Sequence, residues 1–88
     1  MKTVETTIDH SFIEKFHYTV GKNVKKLRER KGYSQLALSQ ALGYKSVGLI
    51  SQAEIYHKRQ HFNLEHLFKI AYILECDIAD FFQESVGE

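Results

Sequence analysis

The sequence is poor in residues that break helices or cross-link chains. It has no proline and only five glycines among its 88 residues. Because proline and glycine are the weakest helix formers, their scarcity favours a helical fold. The single cysteine, Cys76, excludes an internal disulfide and a zinc site built from several cysteines. We therefore exclude a small secreted protein held together by disulfides and expect a cytoplasmic protein.

The sequence also lacks long hydrophobic runs. No stretch approaches the roughly 18 apolar residues that span a bilayer. The first residues, MKTVETT, have no apolar run of the kind found in signal peptides. We expect no contact with membranes. The sequence does have 43% hydrophobic residues, enough for one core, and its length fits one domain rather than a two-domain enzyme.

Charged residues are distributed unevenly along the chain. Residues 1–19 have a net charge of −1. Residues 20–62 contain nine cationic and two acidic residues, a net of +7, whereas residues 63–88 contain one cationic and six acidic residues, a net of −5. A basic segment separated from an acidic one is typical of a surface that binds nucleic acid. The alternative at this point is an ordinary solvated helix face.

Capping residues and apolar spacing predict five helices. The first begins at Ser11, which has the spacing of a capping box with Glu14, and it ends near Gly32. Gly21 predicts a bend or a break inside this helix, and residues 1–10 are predicted to form an arm. The apolar residues of the first helix recur at steps of three or four: Phe12, Phe16, Val20, Val24 and Leu27.

The other four helices are predicted from polar capping residues. The expected N-caps are Ser34, Ser46, Asn63 and Asp77. The second and third helices are expected over residues 35–42 and 47–55, and the fifth is short. Ile50 and Ala53 of the third helix are expected to face the core.

The fourth helix is expected to bury a wide apolar face. Its core-facing residues are predicted to be Leu64, Leu67, Phe68, Ala71 and Leu74. These helices together predict a domain over residues 11–82, followed by a flexible tail at 83–88.

An ordered series of short motifs extends from residue 20 to residue 82. In order they are VG at 20–21, LR at 27–28, KGYSQ at 31–35, ALG at 41–43, ISQAE at 50–54, IA at 70–71 and FF at 81–82. The series resembles the helix-turn-helix DNA-binding domain of the phage Cro and lambda repressor type. The resemblance implies an all-α, compact five-helix bundle whose second helix lies over the DNA backbone and whose third helix enters the major groove.

The resemblance also implies roles for individual residues. Gln35 is expected to hold a phosphate, and Ser51 and Gln52 are expected to contact base edges. Lys58 and Arg59 follow the third helix in a loop that tracks phosphates in relatives. The complete set of expected DNA-binding residues is Gln35, Lys45, Ser46, Val47, Gly48, Ser51, Gln52, Lys58 and Arg59.

The start of the third helix departs from the family pattern. Val47 and Gly48 stand where relatives often carry polar or basic residues, and neither side chain can hydrogen-bond a base. Val47 is expected to contact a thymine methyl group, and Gly48 to let the backbone approach DNA closely. The alternative is a site that reads few bases and depends on DNA shape. Further candidates for phosphate contacts are Lys22, Lys25, Lys26 and Arg28.

Apolar residues near the end of the domain exceed what a small core needs. This excess predicts a dimer interface at Ile73, Ile78, Phe81 and Phe82. We therefore expect a homodimeric transcriptional regulator, specifically a repressor, that binds a palindromic operator in double-stranded DNA. The alternative is an antitoxin-like or other protein-interaction module whose basic face meets an acidic protein. The lack of polar side chains at the start of the third helix motivates this alternative.

No catalytic or metal site is predicted. His57, His61 and His66 are close in sequence, but no cysteine or nearby carboxylate completes a zinc ligand set and the loop has no fixed geometry. We interpret them as surface histidines near phosphate. Cys76 is interpreted as a packing residue. Because no nucleophile, base and orienting group assemble, neither an enzyme nor a cofactor is expected.

Overall fold

A computed structural model of the protein describes residues 3–84, apart from the side chains of residues 5 and 6. Within this part of the chain, the structure contains helices and no β-strand. The α-helices are α1 (Val4–Thr7), α2 (His10–Arg30), α3 (Gln35–Ala41), α4 (Gly48–Ala53) and α5 (Leu64–Leu74). Short 3₁₀ helices cover His57–Arg59 and Ile78–Phe82. The all-α class is confirmed.

The number of helices in the domain differs from the prediction. Four α-helices, α2 to α5, replace the expected five. The predicted fifth helix is the 3₁₀ segment Ile78–Phe82, although its expected cap is present: Asp77 accepts a hydrogen bond from the Ala79 amide at 2.9 Å. The Asp80 amide donates to the Asp77 carbonyl at 2.9 Å, which is the tighter i to i+3 pattern.

The start of α2 also differs from the prediction. Asp9, rather than Ser11, is the N-cap, since its carboxylate accepts hydrogen bonds from the amides of Ser11 at 2.9 Å and Phe12 at 3.4 Å. The expected arm, residues 1–10, includes the helical turn Val4–Thr7 and the first residue of α2, while residues 1 and 2 lie outside the described part of the chain. At 21 residues, α2 is about 31 Å long.

Gly21 lies inside a continuous helix, so the predicted break is wrong. A Cβ atom at this position would overlap the carbonyl oxygen of Ala53 and would lie 2.7 Å from the carbonyl oxygen of Glu54. The glycine therefore serves packing. It lets the backbone of α2 approach the end of α4 more closely than any side chain would permit.

The hydrophobic core lies between the C-terminal half of α2, the helices α3 to α5 and the second 3₁₀ helix. The fully or nearly buried apolar residues are Val20, Val24, Leu27, Leu38, Ile50, Ala53, Phe62, Leu67, Ile70, Ala71, Leu74 and Phe81. The inward orientation expected of Ile50 and Ala53 is confirmed. The inward orientation expected of Leu64 and Phe68 is wrong, because these side chains are 72% and 68% exposed.

Two polar residues fix the C-terminal part of the domain. Asn63 caps α5 as expected: its side chain accepts from the His66 amide at 2.7 Å, and the His66 ring accepts from the Asn63 amide at 3.1 Å. Asn23, buried on α2, donates from its side-chain amide to the Phe81 carbonyl at 2.9 Å and to that of Gln83. Of the predicted tail at 83–88, residues 85–88 lie outside the described part of the chain.

Candidate nucleic-acid interface

The helices α3 and α4 and the turn between them form the candidate interface. Ser34 caps α3 by accepting a hydrogen bond from the Ala37 amide at 2.9 Å. Gly43 ends the helix with a φ of +89°, a conformation that side chains disfavour. The chain then turns through residues 44–47 and enters α4 at Gly48. This is the helix, turn and helix arrangement expected from the motif series.

The buried side of α4 determines which residues it presents outward. Ile50 and Ala53 are completely buried, and Leu49 packs at the edge of the core. Gln52 is exposed, in agreement with the prediction. Ser51 is half-buried, and its hydroxyl donates to the Gly48 carbonyl at 3.2 Å. Because a hydroxyl oxygen can also accept, Ser51 retains an acceptor for a base or a water molecule.

A buried ion pair anchors the C-terminal end of α4. The guanidinium of Arg28 on α2 donates to both carboxylate oxygens of Glu54, at 2.7 and 3.1 Å, and to the Tyr33 carbonyl at 2.7 Å. The two charged residues are 5% and 2% exposed. The inclusion of Arg28 among the surface cations is therefore wrong. Its bidentate contact fixes the relative position of α2 and α4.

Gln35 joins the same network from the start of α3. Its side-chain nitrogen donates to Glu54 at 3.0 Å, and the residue is half-buried. An amide nitrogen carries two hydrogens, so this bond leaves one donor for a phosphate oxygen. The network was not evident from the sequence, because the carboxylate and its two donors are separated by 19 and 26 residues.

The start of α4 is open to solvent. Lys45 and Ser46 are exposed, whereas Val47 and Gly48 are half-buried. Val47 occupies the N-cap position without a side-chain cap, and the Ser46 hydroxyl accepts weakly from the Gly48 amide at 3.4 Å. A Cβ atom at Gly48 would approach no atom of the fold more closely than the Ser46 hydroxyl oxygen, at 3.6 Å. The fold itself therefore does not require glycine at this position.

The loop after α4 has an unusual backbone. Tyr56, Lys58 and Arg59 have φ values of 54°, 51° and 66°. Such left-handed conformations cost about 1 kcal/mol or more for residues with side chains, and they are concentrated at functional sites. Lys58 and Arg59 are exposed, so the loop directs two cations outward.

The surface of the segment 20–62 remains strongly basic after folding. Arg28 and Glu54 neutralise each other in the interior, which leaves eight cationic residues and Glu29. Seven of the eight are exposed and the eighth, Lys26, is half-buried. The cations among the expected DNA-binding residues, Lys45, Lys58 and Arg59, belong to the exposed set, as do the further phosphate candidates Lys22 and Lys25. The net charge of this surface is thus still +7.

Three histidines, His17, His61 and His66, have aromatic ring contacts in the structure. In the described part of the chain, no three potential ligands are grouped closely enough to hold a metal ion. The rings of His17 and His61 stack with centroids 4.0 Å apart, and Tyr56 stacks on His17 at 5.6 Å. Partial burial and the nearby charge of His61 lower the pKa of His17. Sequence reasoning missed this cluster, since its members come from distant segments without a shared motif.

The residues expected at the dimer interface have different environments. Phe81 is completely buried in the core, so its assignment to an interface is wrong. Ile73 and Ile78 are half-buried and pack against the core. Phe82 is 38% exposed and remains accessible.

A family model described as helix-turn-helix matches residues 24–81, about two-thirds of the chain. No curated protein matches the chain. The match begins within α2, so the N-terminal half of this helix lies outside it. No described helix is both long enough and apolar enough to cross a membrane.

Proposed function

We propose, since the chain belongs to the Cro and lambda repressor type of helix-turn-helix family, that it binds specific sequences in double-stranded DNA with α4 in the major groove. The family is one of DNA-binding transcription regulators and is generally not enzymatic. The observation that carries the proposal is the orientation of α4. Ile50 and Ala53 hold its inner side in the core, while Gln52 is exposed within the segment 20–62, whose net charge is +7.

Base recognition is assigned to the outer side of α4. The Gln52 amide can pair with an adenine edge through one donor and one acceptor. Ser51 contributes its remaining acceptor, and Val47 contributes methyl groups that fit a thymine methyl. Gly48 lets the first turn of α4 approach the bases, because no side chain intervenes there.

Phosphate contacts position α4 in the groove. Gln35 contributes its second amide hydrogen from the start of α3, and Ser46 its exposed hydroxyl. Lys45 precedes α4, and Lys58 and Arg59 follow it, so exposed cations flank the recognition helix along the chain. These contacts give affinity without distinguishing sequences.

Salt dependence tests the electrostatic part of the proposal. The logarithm of duplex affinity should fall by about 0.9 per decade of salt for each neutralised phosphate. Lys58→Ala should weaken binding to all duplexes alike and reduce the slope by about 1. Lys69→Ala is the matched control, because Lys69 is exposed but lies in the acidic last quarter and pairs with Glu65 at 3.0 Å. Affinity that is independent of salt would refute the proposal.

Base substitution tests the role of Gln52. Gln52→Ala should relax discrimination at one base position by about 1–3 kcal/mol. Gln83→Ala, an exposed glutamine in the acidic part of the domain, should change neither affinity nor preference. Equal losses on specific and random duplexes would show that Gln52 reads no base.

We further propose that the protein acts as a homodimeric repressor. A two-fold dimer reads a palindrome whose half-sites lie about 34 Å apart. Occlusion of an operator requires no additional domain, which favours repression. Selection of bound sequences from a random duplex pool should enrich a palindrome. Enrichment of a single unrepeated site would contradict two-fold binding.

A protein-interaction module remains the second candidate. The observation that favours it is the absence of base-pairing side chains at Val47 and Gly48. In that case the +7 surface would bind an acidic protein, as an antitoxin-like partner does. Stoichiometric co-purification with an acidic protein, together with no retention of any duplex from the random pool, would favour this candidate over DNA reading.

A further inference from the structure

The N-terminal half of α2 carries an apolar surface that the domain does not cover. All the buried residues of α2 lie between Val20 and Arg28, and none lies in residues 10–19. Phe12 and Phe16, one turn apart, are 60% and 50% exposed. The ring of Phe16 stacks on Phe82 with centroids 6.0 Å apart and planes within 8° of parallel. We call Phe12, Phe16, Phe82 and the nearby Leu64 the aromatic ridge.

Two hollows flank the stacked rings of Phe16 and Phe82. One, of about 300 Å³, is also lined by Phe12, Lys15, Thr19 and Glu84. The other, of about 280 Å³, is also lined by Phe62, Leu64 and Leu67. An apolar cavity of about 150 Å³ is sufficient to hold a benzene ring. Each hollow is therefore large enough for an aromatic side chain from another molecule.

We infer that the aromatic ridge is the surface through which two copies of this chain associate. A two-fold contact requires one patch that is complementary to itself. The ridge meets this requirement, because it has both exposed rings and hollows of matching size. The exposed rings of the first copy occupy the hollows of the second copy, and the exposed rings of the second copy occupy the hollows of the first.

The charge distribution favours a second copy as the occupant. The segment 1–19 has a net charge of −1, compared with +7 and −5 in the other two segments. The ridge combines Phe12 and Phe16 of this segment with Leu64 and Phe82 of the −5 segment, and it contains no residue of the +7 segment. Charge complementarity between two copies therefore depends on Lys15, a cation beside the ridge. Lys15 and Glu84 line the same hollow. Two-fold symmetry allows Lys15 of each copy to approach Glu84 of the other.

The available area predicts a weak, reversible dimer. The four ridge side chains expose apolar surface on the order of 400 Å², about half of the roughly 800 Å² that each partner buries in a standard interface. We therefore expect the dimer to dissociate on dilution in the absence of DNA. Binding to adjacent half-sites then raises the effective concentration of the two copies.

Sedimentation equilibrium of the full chain over a range of concentrations tests the inference. The native chain should show reversible association, and Phe12→Glu should weaken it by about tenfold or more. Phe12 is exposed near the start of α2, where an added carboxylate is compatible with the helix dipole. Circular dichroism should therefore show an unchanged helix content, which separates loss of association from loss of folding.

Phe68→Glu is the matched control. Phe68 is 68% exposed on α5 and lines both the hollow that contains Ile73 and the hollow that contains Ile78. The Phe68→Glu variant should have the same association constant as the native chain. The inference fails if Phe68→Glu abolishes association while Phe12→Glu does not, because the dimer then forms through α5. It also fails if the native chain stays monomeric throughout the concentration range.

A charge exchange tests the two-fold pairing. Lys15→Glu and Glu84→Lys should each weaken association, and the double variant should restore it. No recovery in the double variant would exclude the proposed contact between the two residues.

The inference rests on the proposed function only in taking the protein to be a homodimer. Association through the ridge and binding to DNA can each be refuted without the other. Phe12→Glu should retain the affinity of the native chain for a single half-site, because Phe12 lies outside the candidate DNA interface. If neither the native chain nor any variant binds duplex DNA, while Phe12→Glu still weakens self-association, then DNA binding is refuted and the role of the ridge is supported. If half-site binding is normal and Phe12→Glu leaves association intact, the ridge is refuted and DNA binding stands.

Discussion

The two halves of α2 belong to one continuous helix but are stabilised differently. The C-terminal half buries Val20, Val24 and Leu27 and contributes Arg28 to the interior ion pair. The N-terminal half buries no side chain and is held by the Asp9 cap, by ring contacts and by continuity with the second half. Helix continuity therefore does not indicate where a helix obtains its stability. One half secures the fold, while the other leaves apolar side chains accessible to a second molecule.

The largest expected effect concerns the ion pair in the C-terminal half. Arg28→Ala leaves the Glu54 carboxylate buried without its cation and should lower the free energy of unfolding by about 3–5 kcal/mol in urea titrations. Glu29→Ala, a change at the adjacent exposed residue, should stay within about 0.5 kcal/mol of the native chain. Similar values for the two variants would contradict the assigned role of the pair.

Substitution at the boundary between the halves should also be costly. Gly21→Ala forces a methyl group against the carbonyl oxygens of Ala53 and Glu54, so we expect a loss of about 3 kcal/mol in thermal or urea unfolding. Gly48→Ala is the control, because a methyl group has room there. It should be neutral or stabilising by up to about 1 kcal/mol, while reducing duplex affinity under the proposed function. A well-tolerated Gly21→Ala would disprove the close approach of α2 and α4.

A third pair of variants compares one buried and one exposed side chain of α2. Val24→Ala removes two methyl groups from a completely buried site and should cost about 2 kcal/mol. Tyr18→Ala removes a larger side chain from the other half but should cost no more than about 0.5 kcal/mol, since Tyr18 is 52% exposed. Chemical denaturation at the same protein concentration measures both. A larger loss of unfolding free energy for Tyr18→Ala than for Val24→Ala would contradict the conclusion that only the C-terminal half of α2 secures the fold.

The smallest expected effect is the pH dependence of the ring cluster. Folding lowers the pKa of His17 from its ordinary value of 6.5, through partial burial and the charge of His61. The unfolded chain therefore binds this proton more readily. The contribution of His17 to stability is complete above about pH 6.5 and is lost as the pH falls towards the lower folded pKa.

Melting temperatures across this pH range measure that loss. His17→Gln should make the melting temperature of the protein less sensitive to acidification. It should not remove the sensitivity entirely, because burial also lowers the pKa of His66. An unchanged pH profile in His17→Gln would contradict a lowered pKa of His17 in the folded protein.

The sequence predicted features that depend on neighbouring residues. The caps at Ser34 and Asn63 are present because each side chain bonds an amide three residues ahead. The inward orientation of Ile50 and Ala53 followed from helical spacing within α4. The family resemblance added the expectation that α4 lies between the core, which Ile50 and Ala53 face, and the DNA.

Other predictions failed because they depended on distant segments. Helical spacing places Leu64 and Phe68 near Leu67, but only Leu67 meets the rest of the core. The apolar character of Phe81 did not distinguish a core residue from an interface residue. Nor did the charge of Arg28 distinguish a surface cation from one that Glu54 neutralises in the interior.

The sequence by itself determined the helical class, most of the helix starts and the separation of basic from acidic segments, because these depend on composition and on interactions within about four residues. The tertiary structure decided which apolar and charged residues are buried. Those outcomes depend on contacts such as Arg28 with Glu54 and Asn23 with Phe81, across 26 and 58 residues of chain. Whether a side chain is buried depends on which helices pack against it, and the sequence of a single helix does not specify its neighbours.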